Sequence, residues 1–185
     1  PPFVGLSLRT TAQQEDMDLI FKGNDRAGRL DYVAAWYRKA ADYMQNTKIE
    51  AAFVSTNSIC QGEQVPILWE ELFQKGIHIN FAYRTFIWQS EASLKAHVHC
   101  VIVGFSYQER AIKTIYENEI GKKVSQINGY LVNADNVFIL LRGKANPNMP
   151  KLVQGNKPWD GGFLILSPEE REELTFGIDG AVIKV

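Results

Sequence analysis

The feature that most constrains the fold is an alternation of helix and strand patterns between residues 31 and 106. The segment "DYVAAWYRKAADYMQ" places apolar side chains at helical spacing, with Asp31 available as an N-cap. It is followed by "IEAAFVSTN", an apolar run that ends in small polar residues, as buried parallel strands often do. This alternation predicts an open α/β sheet with helices packed against it.

The pattern continues through a second helix and two more strands. The helix is predicted by "EQVPILWEELFQKG", because Pro66 lies in its first turn and Gly76 is a C-terminal stop. The strands "IHINFAYRTF" and "HVHCVIVGFS" flank a polar segment, "WQSEASLKA". The order helix, strand, helix, strand, loop, strand predicts the C-terminal half of an open α/β sheet, and the other half is expected elsewhere in a larger domain.

The texture of the sequence changes after Ser106. We predict a helix for "YQERAIKTIYENE", and then a region rich in Gly, Asn and Pro with β-type runs such as "NVFILL". Further on, "FLILS" predicts a strand, and an acidic helix follows that is capped by Ser167 with Pro168 at its first position. We therefore predict one domain over residues 1–106 and a partial α+β domain over residues 107–185.

Composition excludes some functional classes. The chain has 185 residues and a formal net charge of -1, so the overall charge does not indicate nucleic-acid binding. No apolar run approaches the roughly 18 residues that span a bilayer, and no signal peptide is recognisable, so we expect a cytoplasmic protein. One stretch is locally basic and compatible with phosphate contacts, with seven basic residues (Lys113, Lys122, Lys123, Arg142, Lys144, Lys151, Lys157) against three acidic ones (Glu117, Glu119, Asp135).

The cysteines and histidines do not indicate a metal site. Cys60 and Cys100 lack Cys-x-x-Cys spacing and are predicted to be buried thiols. His97 and His99 would project from one face of a strand, but no third ligand stands at a diagnostic spacing. We therefore predict no bound metal.

The opening "PPFVG" suggests a specific chemistry. A loop of the form Asn/Asp/Ser-Pro-Pro-aromatic after a strand suits methyl transfer to the exocyclic amine of a flipped base. The amine loses a proton as it attacks, so it needs acceptors, which the carbonyl of Pro1 and a preceding side-chain amide would supply. The prolines hold those acceptors rigidly, and Phe3 would stack on the extruded base.

Several long, ordered stretches carry a resemblance to a known family: "PPFVG", "LDYVAAWYRKAADYM", "AAFVSTNSICQGEQVPILW", "GIHINFAYRTFIWQSEASLKAHVHCVIVGFS", "YLVNADNVFI" and "GNKPWDGGFLILSPEE". Together they resemble the amino-methyltransferases of bacterial restriction-modification systems, in particular the MmeI-like enzymes. The resemblance implies that residues 1–106 are the C-terminal half of a Rossmann-like class I methyltransferase sheet. Residues 107–185 would then begin the target recognition domain, which reads the DNA sequence.

The resemblance also implies roles for individual residues. Pro1, Pro2 and Phe3 match the catalytic loop, with the family's Asn expected immediately upstream. Asn57 is a candidate for shaping the target-base pocket. Phe86 and Trp88 are both candidates for the aromatic ring on the other face of the base; the sequence does not choose between them, and core packing is the alternative for each.

The region after Ser106 supplies the candidate DNA contacts. Arg or Lys would suit guanine, Asn or Gln would suit adenine, and other lysines would contact only phosphate. The candidates are the basic and amide residues Lys122, Lys123, Gln126, Asn128, Arg142, Lys144, Asn156 and Lys157.

The cofactor implied by the resemblance is S-adenosylmethionine. This chain has no Gly-rich loop for its methionine part and no acidic residue placed to hold its ribose. Those elements precede the catalytic loop in the family, so we expect the main cofactor site upstream of this chain. We also expect that the chain starts inside its catalytic motif and that it is inactive alone.

The parent protein is thus predicted to be a DNA adenine-N6 methyltransferase of a type II restriction-modification system, and the resemblance allows for a nuclease domain further upstream. An alternative is a non-catalytic, sequence-reading DNA-binding module. A third reading is an RNA or protein methyltransferase with the same loop.

Overall fold

The computed structural model describes residues 1–88, 98–140 and 166–175. Its helices are α1 (Thr11–Ile20), α2 (Val33–Met44), α3 (Glu70–Gln74) and α4 (Pro168–Thr175). Its strands are β1 (Glu50–Thr56), β2 (His78–Trp88), β3 (Val98–Ser106), β4 (Lys113–Glu117) and β5 (Ile120–Val124). Residues 1–141 form one compact unit and residues 142–185 a second, of which α4 is the described part.

The five strands form one mixed sheet in the order β1-β3-β2-β4-β5. β3 lies between β1 and β2 and is antiparallel to both, so β1 and β2 run in the same direction. β2 pairs in parallel with β4, and β4 forms an antiparallel hairpin with β5. The prediction of a mixed α/β fold is confirmed.

Helix α2 packs on the sheet through an aromatic core. The Tyr37 ring lies 5.2 Å from Phe53, 5.5 Å from Trp69 and 5.1 Å from Phe105, measured between ring centroids. The Tyr37 hydroxyl and the Ser55 Oγ lie 2.6 Å apart, and both residues are fully buried. Burial raises the pKa of the Tyr37 hydroxyl above its usual range. The core therefore joins α2 to β1 by ring contacts and one buried hydrogen bond.

The helix that follows β1 begins with an unusual turn. Residues Val65–Trp69 form a π-helical turn with Pro66 near its start, and α3 continues from it. The indole of Trp69 is fully buried and donates from Nε1 to the Ile59 carbonyl at 2.8 Å. Gly76 ends the helix at φ +91°, a conformation that favours glycine, so the predicted stop is confirmed.

Helix α1 is not anticipated by the sequence analysis. The Thr10 hydroxyl accepts a hydrogen bond from the Gln13 backbone N–H, and the Gln13 side chain accepts one from the Thr10 N–H. This is a capping box, and the spacing of Thr10 and Gln13 is the sequence signal that could have located it.

Several expectations are wrong. β1 has an antiparallel neighbour rather than a parallel one, and its burial is partial. Asp31 does not cap α2: the N-cap is Tyr32, which makes no side-chain cap bond. The described residues 135–140 contain no strand, so the β-type run "NVFILL" does not form a paired β-strand there.

The predicted helix over "YQERAIKTIYENE" is also wrong, because this segment contains β4. Ile115 is buried where β4 pairs with Ala82 of β2. Asn118 and Glu119 have φ values of 48° and 67°, so they form a tight turn into β5. Sheet pairing therefore overrides the local helical spacing.

At the other end of the chain, the predicted short helix is confirmed as α4. The Ser167 hydroxyl accepts from the Glu170 N–H at 3.2 Å, and the Glu170 carboxylate accepts from the Ser167 N–H at 2.8 Å. The strand predicted over "FLILS" lies outside the described residues except for its last two positions, which are not in a strand. Within the described ranges, no helix is long and apolar enough to cross a bilayer.

Replacement of Tyr37 by Phe is expected to lower the free energy of unfolding by about 1–2 kcal/mol, because the buried Ser55 hydroxyl loses its partner. Chemical denaturation of the two proteins measures the difference. Tyr43→Phe is the matched control on the same helix, since Tyr43 is 75% exposed. Equal stability of Tyr37→Phe and Tyr43→Phe would contradict the importance of this bond.

Candidate functional site

The carboxyl ends of β1 and β2 meet at one edge of the sheet, on either side of β3. Thr56 of β1 and Phe86 of β2 both pair with Cys100 of β3, so the three residues form one row across the sheet. Neighbouring strands lie about 4.8 Å apart, which places Thr56 and Phe86 about 10 Å from each other. Asn57 directly follows Thr56, so the structure brings Asn57 and Phe86 to the same edge.

Phe86 and Trp88 form an aromatic surface at this edge. Their ring centroids are 6.5 Å apart with an interplanar angle of 47°. Phe86 is half-buried, whereas Trp88 is 47% exposed and pairs with Val98, one step further towards the edge. Both rings can present a face to a planar ligand, and neither belongs to the buried core.

The turn after β1 is held by local hydrogen bonds. The Cys60 thiol donates to the Asn57 carbonyl at 3.0 Å, and the hydroxyls of Thr56 and Ser58 lie 2.8 Å apart. Burial raises the pKa of the Cys60 thiol to about 11, so this thiol stays protonated at neutral pH. Within the described part of the chain, the Asn57 side-chain amide has no hydrogen-bond partner and is available to a ligand.

The opening segment is anchored by Asp31. The Asp31 carboxylate accepts from the Leu6 N–H at 3.0 Å and from Gln64 Nε2 at 2.7 Å. The Asp31 N–H donates in turn to Gln64 Oε1 at 3.2 Å, and the Tyr32 N–H donates to the Val4 carbonyl at 2.9 Å. We call this set of bonds the Asp31 clamp. It ties the opening segment to the start of the π-helical turn that follows β1.

Pro1, Pro2 and Phe3 precede the clamp and are exposed. The Phe3 side chain is 40% exposed, and among the described residues its ring touches neither Phe86 nor Trp88. The loop is thus anchored on its C-terminal side, while its catalytic role stays a prediction.

The predicted DNA-contacting residues fall into three groups. Lys122 and Lys123 are exposed on β5, and Lys123 donates to the Thr114 hydroxyl at 3.0 Å. Gln126 is half-buried and donates to the Asp135 carboxylate at 3.0 Å. The third group lies outside the described residues and comprises Arg142, Lys144, Asn156 and Lys157.

Asn128 is the one candidate outside these three groups. Its side chain is buried and hydrogen-bonded to the backbone of its own turn. Its amide donates to the Asp135 carbonyl at 3.1 Å. Its side-chain oxygen accepts from the N–H groups of Tyr130 at 3.0 Å and Val132 at 3.3 Å. Asn128 therefore holds this turn, and a contact with a base has no support in this conformation.

The described residues contain no group of three or more possible metal ligands. Cys60 and Cys100 are both free and buried, as predicted. His97 lies outside the described residues, and His99 lies on β3.

The sequence matches a known family over most of this region. The family described as "MmeI, DNA-methyltransferase domain" matches residues 1–117. The chain belongs to this family. The matched residues include β1, β2 and β3, and the match extends through β4.

Two relatives place this family member more closely. The chain is 42% identical over 171 residues to DNA methyltransferase A of Bacillus subtilis (strain 168), covering 92% of this chain and 20% of the relative. A solved structure of the type IIL restriction-modification enzyme MmeI in complex with DNA is 44% identical, with a TM-score of 0.85 over 95% of this chain and 24% of MmeI. The chain thus spans between a fifth and a quarter of the length of either relative.

We expect Asp31→Ala to loosen the opening segment, because the Leu6 N–H and the Gln64 Nε2 both lose their acceptor. Hydrogen exchange at Leu6 should become faster by about tenfold, since a charge-assisted hydrogen bond contributes about 1.5 kcal/mol or more. Asp18→Ala on α1 is the control, because Asp18 accepts a hydrogen bond from Gln14 within its own helix. Unchanged exchange at Leu6 in Asp31→Ala would show that the clamp does not hold the segment.

Proposed function

We propose that this chain is part of an S-adenosylmethionine-dependent DNA methyltransferase that modifies adenine N6 in a specific duplex sequence, within a bacterial, cytoplasmic type II restriction-modification system. The observation that carries the proposal is the row across β1, β3 and β2. It brings Asn57 and Phe86 to one sheet edge in a chain that belongs to a DNA-methyltransferase family.

The strand arrangement supports the proposed Rossmann-like half-sheet. The resemblance implies that the last strand of the methyltransferase sheet is antiparallel, and β3 runs opposite to both of its neighbours. The proposed boundary at residue 106 rests on the change in sequence composition. The β4–β5 hairpin lies beyond that boundary and shares the compact unit of residues 1–141.

The proposed chemistry follows from the groups at this edge. The exocyclic amine of a flipped adenine needs an acceptor as it attacks a methyl group, and the Pro1 carbonyl is the acceptor that this chain offers. Phe3 would stack on one face of the base, and Phe86 or Trp88 on the other. The Asn57 amide, which has no partner in the described residues, would bond the edge of the base.

S-adenosylmethionine is the proposed methyl donor and would supply a sulfonium methyl group. Ser55 and Thr56 end β1 and Asn57 follows them, and none of the three is an acid that could hold a ribose. The nearby acid Asp31 is already engaged by Leu6 and Gln64. As the resemblance implies, the proposed main cofactor contacts lie in sequence that precedes Pro1, and we assign no step through the cofactor to this chain.

A second candidate function is that of a DNA-binding module without catalysis. It is favoured by the exposed hairpin lysines Lys122 and Lys123, which can contact phosphate whether or not a base is methylated. The proposed nuclease domain of the parent protein would serve either function and is separate from this chain.

Methyl transfer tests the first function directly. The full-length protein that carries this chain is expected to transfer a labelled methyl group from S-adenosylmethionine to adenine N6 in mixed-sequence duplex DNA. Phe3→Ala and Phe86→Ala should each lower the rate by about fivefold or more, because a base-stacking ring contributes about 1–3 kcal/mol. Tyr43→Ala removes an exposed ring from α2 and is the control.

Duplex binding without methyl transfer would rule out the enzyme and leave the DNA-binding module. Label in cytosine, in RNA or in protein would overturn the proposed substrate while retaining a methyltransferase. Transfer that is equal in Phe3→Ala, Phe86→Ala and Tyr43→Ala would remove these two rings from the site.

Simultaneous replacement of Lys122 and Lys123 by Ala is expected to weaken duplex binding similarly for all sequences. The slope of log Kd against log salt should fall by about one for each phosphate that the variant no longer neutralises. Fluorescence anisotropy between about 50 and about 200 mM salt measures the slope. Lys39→Ala, an exposed lysine on α2, is the control, and an unchanged slope in the double variant would remove the hairpin from the DNA interface.

A further inference from the structure

The Phe86 ring lies between Tyr83 and Trp88 in a line of four aromatic side chains: Tyr116, Tyr83, Phe86 and Trp88. Its ring centroid lies 5.4 Å from that of Tyr83, in an edge-to-face contact, and 6.5 Å from that of Trp88. Tyr83 in turn stacks on Tyr116 of β4, with ring centroids 5.9 Å apart and an interplanar angle of 8°. These four side chains extend from β4 across β2 to the sheet edge where we propose that the target base binds.

A bulge in β2 makes the contact between Tyr83 and Phe86 possible. These residues are three positions apart, so in a regular strand their side chains would point to opposite faces. Their partners on β3, Ile102 and Cys100, are only two positions apart and share one face. The extra residue in β2 thus turns Phe86 onto the face of Tyr83.

The β4–β5 hairpin holds the far end of this line. The Tyr83 hydroxyl accepts a hydrogen bond from the Glu119 N–H at 3.1 Å, in the turn between the two strands. The Tyr116 ring covers Gly121 on β5, where an added Cβ would lie only 2.9 Å from Tyr116 Cε1. Tyr83 is therefore held both by a ring stack and by a backbone donor of the hairpin.

We propose that Tyr83, supported by Tyr116, is a positioning residue for the target base: it orients the Phe86 ring on which the extruded adenine stacks. The inference rests on the proposed function. Phe86 is only half-buried, so the core does not fix its ring. The contact with Tyr83 supplies that support instead. The hairpin that carries Lys122 and Lys123 thereby also supports the ring beneath the base.

The test measures methyl transfer by the full-length protein on two oligonucleotide duplexes that contain the site methylated by the wild type. In one the target adenine is paired, and in the other it faces a mismatched base, which lowers the cost of extrusion. Tyr83→Leu and Tyr116→Leu remove ring contacts, whereas Tyr83→Phe keeps the rings and removes only the bond to Glu119. Gly121→Ala displaces the Tyr116 ring, and Gly28→Ala, which has open space around it, is its matched control.

With the paired adenine, Tyr83→Leu is expected to lower kcat about 2- to 13-fold, the range set by an aromatic pair, with KM for DNA unchanged. The mismatch should restore most of this loss, which a merely structural defect would not show. Gly28→Ala should stay near wild type, and Tyr116→Leu and Gly121→Ala should fall below it. Tyr83→Phe should retain more activity than Tyr83→Leu, because it keeps the ring contacts. If Tyr83→Leu does not fold, the comparison of Gly121→Ala with Gly28→Ala decides the question.

Wild-type kcat in the ring-removing variants, or an equal loss on both duplexes, would overturn the inference. If either outcome is found while Phe86→Ala is impaired in the same assay, only the inference about Tyr83 is overturned, and the proposed function remains intact. Absence of methyl transfer by the wild type would overturn both the inference and the proposed function.

Discussion

The position of β3 between β1 and β2 is the constraint on which the candidate site depends. Because β3 is antiparallel to both neighbours, β1 and β2 run in the same direction and end at one edge. The hydrogen bonds of β3 fix the register, and this register sets Thr56 and Phe86 opposite the same residue, Cys100. A slip of one residue on either strand would turn its side chains to the other face and separate Asn57 from the aromatic surface.

The two faces of this sheet use aromatic side chains for different purposes. On one face Tyr37, Trp69 and Phe105 pack against each other in the buried core, and the Tyr37 hydroxyl is bonded to Ser55. On the other face Tyr83 and Phe86 remain partly accessible, and both contact neighbouring aromatic rings. The first group stabilises the fold, while the second offers a stacking surface whose orientation depends on a bulge and a hairpin.

The Asp31 clamp joins segments that are far apart in sequence. Asp31 and Gln64 are 33 residues apart, and Leu6 precedes Asp31 by 25. An Asp before an apolar helical pattern is a good N-cap signal, yet here the carboxylate accepts from distant donors and α2 starts without a side-chain cap. The clamp places the opening segment relative to the turn after β1, which local sequence patterns do not reveal.

The sequence alone determined the succession of α2, β1, α3, β2 and β3, because apolar periodicity and the signals at Pro66 and Gly76 are local. It also determined the cap of α4 at Ser167 and the family to which the chain belongs. Strand direction, the bulge in β2 and the pairing of β4 with β2 were decided only by the tertiary structure, since they depend on hydrogen bonds between distant segments. For the same reason the sequence identified Phe86 as a candidate but not Tyr83 and Tyr116. The ring contacts of Tyr83 with Phe86 and with Tyr116 exist only once the sheet has formed.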